Sequence, residues 1–380
     1  MANISNIKKD FLMLKGPLAT KGYDRWWHSF TAENAETGEQ KPFFIEYFVC
    51  NPDLAQDEPV LGQWIPSQIN NKLPSYLMVK AGWWGEDASQ IHRFFSLKDV
   101  SMTFNFPFSI TADDCFCSEN EMRGSVYVSE KDASIHPEYM CDSGELVWNL
   151  KIEKRIAFNI DYGVGQLFQK FNAFDTFWHA EGMKTVYEGE LYLNGTKYLV
   201  NPETCYGYAD KNWGSDFTNP WIWISSNNLT SRMTGDKLPN SSFAIGGGNL
   251  TLFGISHEKK LFGSFWYEGK DYEFNFLKFW TSCQTQLVCK ETEDEILWHI
   301  RQETRQAVME SKIRCYKKNM LLINYENPNG NKNHNRLWSG GNATGIVTLW
   351  KRKSGTLYLV DEIIAENVGC EYGEVNDQQD

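Results

Sequence analysis

No segment of the 380-residue chain is long and apolar enough to read as a membrane span, and Lys and Arg nowhere gather into a block. The first absence argues against an integral helical membrane protein. The second, with a formal net charge of −12, removes the basic footprint that nucleic acid or an anionic bilayer would need. No nucleic-acid partner and no integral membrane segment are therefore expected, and only a transient membrane contact stays open. The opening MANISNIKKDFLMLKG has neither an apolar h-region nor a small-residue cleavage site, so no signal peptide is expected and the chain reads as cytoplasmic. Its nine cysteines are an odd, scattered set. The closest pair, Cys115 and Cys117, has neither zinc-knuckle nor redox spacing, so all are expected to be reduced core thiols. There is no GxGxxG opening a helix, no Walker A loop, no HExxH and no GxSxG. The seven histidines are dispersed without metal-ligand spacing. Phosphate, dinucleotide and metal chemistry are thus unsupported, and no cofactor or metal is expected.

What the chain has is aromatic residues, 15% of the total, with 15 Trp and 24 Phe. Aromatics favour strands, and they also line small-molecule cavities. Apolar or alternating runs bounded by turn residues recur throughout, among them FFIEYFVC (43–50), YLMVKAGWW (76–84) and GELVWNLKIEKRIAF (144–158). Asn194-Gly195 between two such runs predicts a hairpin, as does Lys353-Ser354-Gly355. The segment 293–313 mixes charge with apolar residues without a clear helical period and is expected to be strand. Many strands with short turns predict an all-β protein of sandwiches or barrels. A division near residues 172–175 gives two expected domains, 1–174 and 175–380. Gly246-Gly247-Gly248 stands at a strand start and reads as close backbone packing or a bulge.

The most informative stretch is CYGYADKNWGSDFTNPWIWISSNNL (205–229). It sets Asp210, Lys211 and Asn212 directly against Trp213, Trp221 and Trp223. Lone charges are seldom buried unless paired or functional. This element resembles the tocopherol cyclase family, a relative of the carotenoid hydratases, AttH-type proteins and fungal Diels-Alderases, in which a Glu-Lys-Asn-Trp-Gly-like motif precedes a Trp-rich strand. FWHAEGMKTVYEGELYLNGTKYLV (177–200), IGGGNLTLFG (245–254), SFWYEGKDYEFNF (264–276) and VDEIIAENVGCEYGE (360–374) extend the likeness. GYDRWWHSF (22–30) stands where the family shows an acidic-Gly-Trp-Tyr-Phe element, with Arg25 in place of Gly and His28 in place of an aromatic. The resemblance implies two lipocalin-like antiparallel β-barrels side by side. It also implies a hydrophobic small-molecule substrate, prenylated or polyunsaturated, closed into a ring by an acid in an aromatic cavity without a cofactor. Hydration of a double bond is the alternative within the enzyme class, and a non-catalytic lipid carrier is the alternative outside it.

Asp210 matches the motif's acidic position and is the first candidate acid, with Lys211 or Asn212 polarising a ligand oxygen. The competing reading pairs Asp210 with a base structurally and makes Trp213 a barrel plug. Asp24, with Trp26, Trp27 and His28, is the pseudo-symmetric counterpart and is open to the same two readings. His28 is either a ligand contact or a satisfied core histidine. His179, flanked by aromatics, is either an acid/base or a hydrogen-bonding group. Trp221 and Trp223 share one strand face and line either the cavity or the core between the barrels. Glu46, inside an apolar run, is expected to face solvent, as are Glu188 and Glu190.

Overall fold

The computed structural model describes residues 10–103, 106–158, 160, 176–216, 221–252 and 255–373. Nearly all of the ordered elements are strands, in two antiparallel sheets of twelve and eleven. In the first sheet the order runs from Ser89–Phe95 through Tyr76–Trp83 and Gln40–Cys50 to Tyr23–Asn34. It continues through Thr196–Val200, Thr176–Leu193, Gly144–Phe158 and Glu121–Val128 to short strands ending at Ser101–Met102. The Ser89 strand comes back against the Glu121 strand, curling the sheet toward a barrel. The second sheet centres on Trp221–Ser226, flanked by Ser242–Leu252 and Thr356–Gly373, and extends outward to Lys270–Phe274 on one side and Gln284–Glu291 on the other. The all-β expectation holds.

The turns follow their chemistry. Asn194 and Gly195 have φ of 49° and 81°, and Ser354 and Gly355 have 47° and 84°. Two consecutive positive φ angles match the right-handed twist of the flanking strands, and Asn-Gly tolerates them best. Segment 293–313 lies in the paired strands Glu295–Glu303 and Ala307–Tyr316, and the alternate burial along them explains the mixed charge pattern. The nine cysteines are free thiols. Among the described residues, no helix is long and apolar enough to cross a membrane.

The expected division at 174/175 is not where the sheets part. Thr176–Leu193, Thr196–Val200 and Gly207–Gly214 all pair within the first sheet, and the second begins with Trp221. The Gly207 strand is held between the Tyr23 and Thr176 strands, so its backbone hydrogen bonds tie it to the first sheet. Residues 172–175, on which the division was placed, lie outside the described residues.

Three apolar clusters result. One fills the first sheet's concave side (Trp26, Phe30, Tyr47, Trp148), and another fills the second's (Phe243, Phe265, Trp298, Val347). The third lies where the sheets meet and joins Trp27, Phe48 and Trp178 from the first to Trp221, Trp223 and Tyr325 from the second. Glycines set the spacing there. A Cβ on Gly246 would lie 3.0 Å from the Trp178 ring, and one on Gly341 would lie 2.3 Å from the Trp84 ring and 2.9 Å from Pro42. The Gly246 triplet is thus a site of close packing, and a register shift follows it between Gly248 and Leu250. Gly341→Ala is expected to push the sheets apart and cost about 1–3 kcal/mol, read as a lower midpoint in thermal unfolding. An unchanged midpoint would mean that Trp84 repacks freely.

Candidate functional site

Strand alternation divides the Asp-Lys-Asn-Trp motif between two environments. Opposite one another on adjacent strands stand Trp27 and Asp210, Trp26 and Lys211, Arg25 and Asn212, and Asp24 and Trp213. Opposite residues share a face, and successive residues alternate. Arg25, Trp27, Asp210 and Asn212 therefore point toward the second sheet. Asp24, Trp26, His28, Lys211 and Trp213 point the other way.

On the face toward the second sheet, the row Asp210–Trp27–Glu46–Lys80 crosses four neighbouring strands. Glu46 is completely buried rather than solvent-facing, because the second sheet covers this side of its strand. Arg25 donates to the Tyr325 hydroxyl at 2.8 Å, and that hydroxyl donates to Glu46 at 2.6 Å. Arg25 also lies 3.8 Å from Asp210 and 4.0 Å from Glu46, with Lys80 3.7 Å from Glu46. The Lys80 ammonium sits 3.6 Å above the Tyr325 ring, and the Arg25 guanidinium sits 5.0 Å above that of Trp27. One oxygen of Asp210 accepts from Trp178 Nε1 at 2.9 Å and from the Tyr208 hydroxyl at 3.0 Å. Glu371 of the second sheet accepts from Trp221 Nε1 at 2.7 Å. The other oxygens of Asp210, Glu46 and Glu371, and Nε of Arg25, are buried without a hydrogen-bond partner among the described residues.

Two cations thus face three carboxyls in a dry space. Burial, against the pull of Arg25, raises Asp210 to about 6 and Glu371 to about 7. Burial lowers Lys80 to about 8, with Glu46 opposing. Arg25 stays charged, since Tyr325, Glu46, Asp210 and Glu371 outweigh its own desolvation. Such a cluster holds a proton near neutrality and has unpaired acceptors left to offer a ligand.

The opposite face is more nearly closed. Asp24 spends one oxygen on the Lys211 ammonium and the other on the Met13 N–H at 2.6 Å. Lys211 in turn lies 4.4 Å from the Trp26 ring and 4.8 Å from that of Trp213. Burial pushes Asp24 up to about 6 and Lys211 down, and the ion pair resists both shifts. His28 bonds through Nδ1 to the Tyr187 hydroxyl at 2.9 Å, its Nε2 lies 3.7 Å from Cys117 Sγ, and burial lowers it to about 4. It is therefore neutral near pH 7. His179 lies 3.6 Å from Asp10. Asp10, Glu119 and Glu181 offer oxygens within 4.8 Å of one another, a spacing that suits a cation. Lys154 supplies one, bonding Glu181 at 2.7 Å and Glu119 at 3.1 Å. Burial and then Glu181 push Asp10 up to about 9, while Lys154 holds Glu181 down at about 2 despite burial.

Of the residues singled out from sequence, Asp210, Asn212, Trp27, Trp221 and Trp223 come together between the sheets. Asp24, Trp26, His28, Lys211 and His179 do not join them, while Trp213 belongs to the apolar cluster where the sheets meet and also flanks Lys211. Arg25, Lys80, Tyr325 and Glu371 were not singled out. The legible signal was a charge within each of two apolar runs, Glu46 and Lys80, of opposite sign. Two spaces are present, of which only the first touches a residue bonded to the cluster. A crevice of about 20 Å³ touches Tyr208, Trp223, Ser29, Ser225 and Asn227. A recess of about 590 Å³ opens beside the first sheet, lined by Trp64, Phe94, Tyr127 and Tyr139.

The family model described as tocopherol cyclase-like matches residues 131–374, well over half of the chain. The chain belongs to the tocopherol cyclase-like family. The matched region supplies Asp210, Trp221, Trp223, Tyr325 and Glu371, while Arg25, Glu46 and Lys80 precede it. No curated protein matches by sequence. Solved structures with a similar course of chain include a putative AttH from Nitrosomonas europaea (TM-score 0.46, 11% identity, 93% of each chain covered). Kievitone hydratase from Nectria haematococca scores 0.45 at 10% identity, covering 96% of this chain and 92% of that one. CghA with Sch210972 scores 0.48 at 9% identity, covering 94% and 90%.

The cluster makes a signed prediction about stability. The folded value of about 6 for Asp210 exceeds the ordinary aspartate value of about 4. Between the two, the folded state binds the extra proton, so this contribution is present at low pH and is lost as pH rises through about 6. Its size is on the order of 3 kcal/mol. In urea unfolding at about pH 4 and about pH 7.5, Asp210→Asn is expected to flatten the wild-type fall in stability. Parallel pH profiles would place the proton elsewhere.

Proposed function

We propose that this tocopherol cyclase-like protein converts a hydrophobic unsaturated substrate by acid-assisted ring closure, with Asp210 as proton donor. The observation that carries the reading is a carboxyl buried among Trp178, Tyr208 and Trp27 whose second oxygen, 3.8 Å from Arg25, has no hydrogen-bond partner among the described residues. Burial raises this carboxyl to about 6, so a fraction of it is protonated near neutrality and acts as an acid. Its proton passes to an alkene carbon, and the π bond becomes a C–H bond and an adjacent cation. Tryptophan and tyrosine faces stabilise that cation by about 0.5–2 kcal/mol each. The substrate's own hydroxyl then forms the C–O bond and returns its proton to the Asp210 carboxylate. Asp24 is the weaker candidate, because both its oxygens are already occupied.

Hydration is the second reading, and the crevice beside Tyr208 favours it. Its volume of about 20 Å³ admits a single water, and Tyr208, which lines it, donates to Asp210. Water in place of the hydroxyl gives an alcohol by the same first step.

Incubation with a farnesylated hydroquinone in deuterated water is expected to give a cyclised product with one carbon-bound deuterium. Asp210→Asn should lower the rate by about 10²–10⁴-fold. Because the acid form is needed, kcat/KM should fall as pH rises above about 6. Full activity in the Asn variant, or a product without deuterium, removes Asp210 as the donor.

A further inference from the structure

The carboxyl cluster is packed tight, and the large open volume lies elsewhere. The recess of about 590 Å³ has the capacity of an ordinary small-molecule site. None of the residues singled out from the sequence lines it. Its walls are aromatic, with Trp64 and Tyr127 at the rim, 50% and 66% exposed. Phe94 and Tyr139 lie deeper.

Two observations define what fits there. The first is charge. Glu58, Asp132 and Glu138 line the recess, and its one arginine, Arg93, is bound to Asp113, Asp114 and the Ser125 carbonyl. No free cation remains among the described lining residues for a carboxylate or phosphate head, while several acceptors remain for a hydroxyl. The second is continuity. Ring contacts run inward from Tyr139 to Phe94 (5.7 Å between centroids), from Phe94 to Tyr76 (5.0 Å), from Tyr76 to Phe48 (6.4 Å) and from Phe48 to Tyr325 (5.8 Å). The Tyr325 hydroxyl is the group that joins Arg25 to Glu46. A file of aromatic side chains thus leads from the open recess to the buried cluster.

We propose that the recess is the ligand-entry site, selective for a neutral hydroxylated apolar molecule over a lipid carboxylate, and that the Phe94–Tyr76–Phe48 file is its path to Arg25 and Asp210. The path rests on the cyclisation reading; the selectivity of the recess does not. Phe94 and Phe48 carry no hydrogen-bonding group, and the hydroxyl of Tyr76 between them pairs with Glu326, so an apolar chain passing along the file displaces one polar contact.

The test uses the full chain and two probes, farnesylated hydroquinone and oleate. In calorimetric titration the hydroquinone is expected to bind at least about tenfold more tightly than oleate. Trp64→Glu and Tyr127→Glu, both at exposed positions, should each weaken hydroquinone binding about tenfold without moving the thermal midpoint. In turnover they should raise KM with kcat unchanged. A benzophenone-tagged farnesyl probe should label wild-type peptides carrying Trp64 or Tyr127. Equal binding of oleate, unaltered binding by both variants, or labelling confined to other peptides overturns the proposal. Asp210→Asn should bind the hydroquinone normally. Binding that responds to Trp64 and Tyr127 in a wild type that turns nothing over would sink the cyclisation reading and leave the recess standing.

Discussion

A guanidinium sealed between two sheets is the constraint on which the site depends. Arg25 is 4% exposed and reaches Tyr325 of the second sheet as well as Asp210 and Glu46 of the first. Burying a charge costs several kcal/mol unless neighbours compensate. The surrounding carboxyls are arranged to do so, and they overshoot, since Glu46, Asp210 and Glu371 outnumber Arg25 and Lys80. Burial is the main force that keeps a proton in the cluster, and the neighbouring carboxyls add to it. The group that docks the sheets electrostatically and the condition that makes a carboxyl acidic near neutrality are therefore one arrangement.

The aromatic residues complete that arrangement mechanically. Trp178 hydrogen-bonds Asp210 through its indole edge while its ring covers Gly246 of the facing sheet. Trp221 holds Glu371 in the same manner. Each ring excludes water and fixes a carboxylate, and that of Trp178 also sets the inter-sheet spacing, so the polar atoms are held by groups that are themselves immobilised by packing.

Much of this was legible in the sequence. Turn residues such as Asn194-Gly195 marked hairpins because only a few residue types adopt their dihedral angles. The Asp210 motif stood out because charges beside tryptophans need an explanation. The place where the sheets part was less legible, because pairing of the Gly207 strand with the Tyr23 strand is a contact between distant parts of the chain. Glu46 was misplaced for a related reason. A strand covered on one face and a strand covered on both faces differ in what packs over them, and FFIEYFVC cannot report the second sheet. Arg25 was noticed only as a departure from a pattern, and its partners lie up to 300 residues away in the chain. The separation of Asp24 from Asp210 was hidden too, since it depends on which face each opposed pair occupies.

The alternation along Asp210, Lys211, Asn212 and Trp213 carries one more consequence. A slip of the Gly207 strand by a single residue would turn every side chain to the other face. It would carry the ammonium of Lys211 into the cluster near Arg25 and withdraw the carboxyl of Asp210 to the barrel face that carries Asp24. The slipped chain would keep much of its backbone pairing and would present a base where the folded chain presents an acid. The like charges it brought together on both faces are a penalty against that outcome. The charge order of these four residues thus acts as a checksum on strand register, rejecting the one misfold that would preserve the sheet and invert its chemistry.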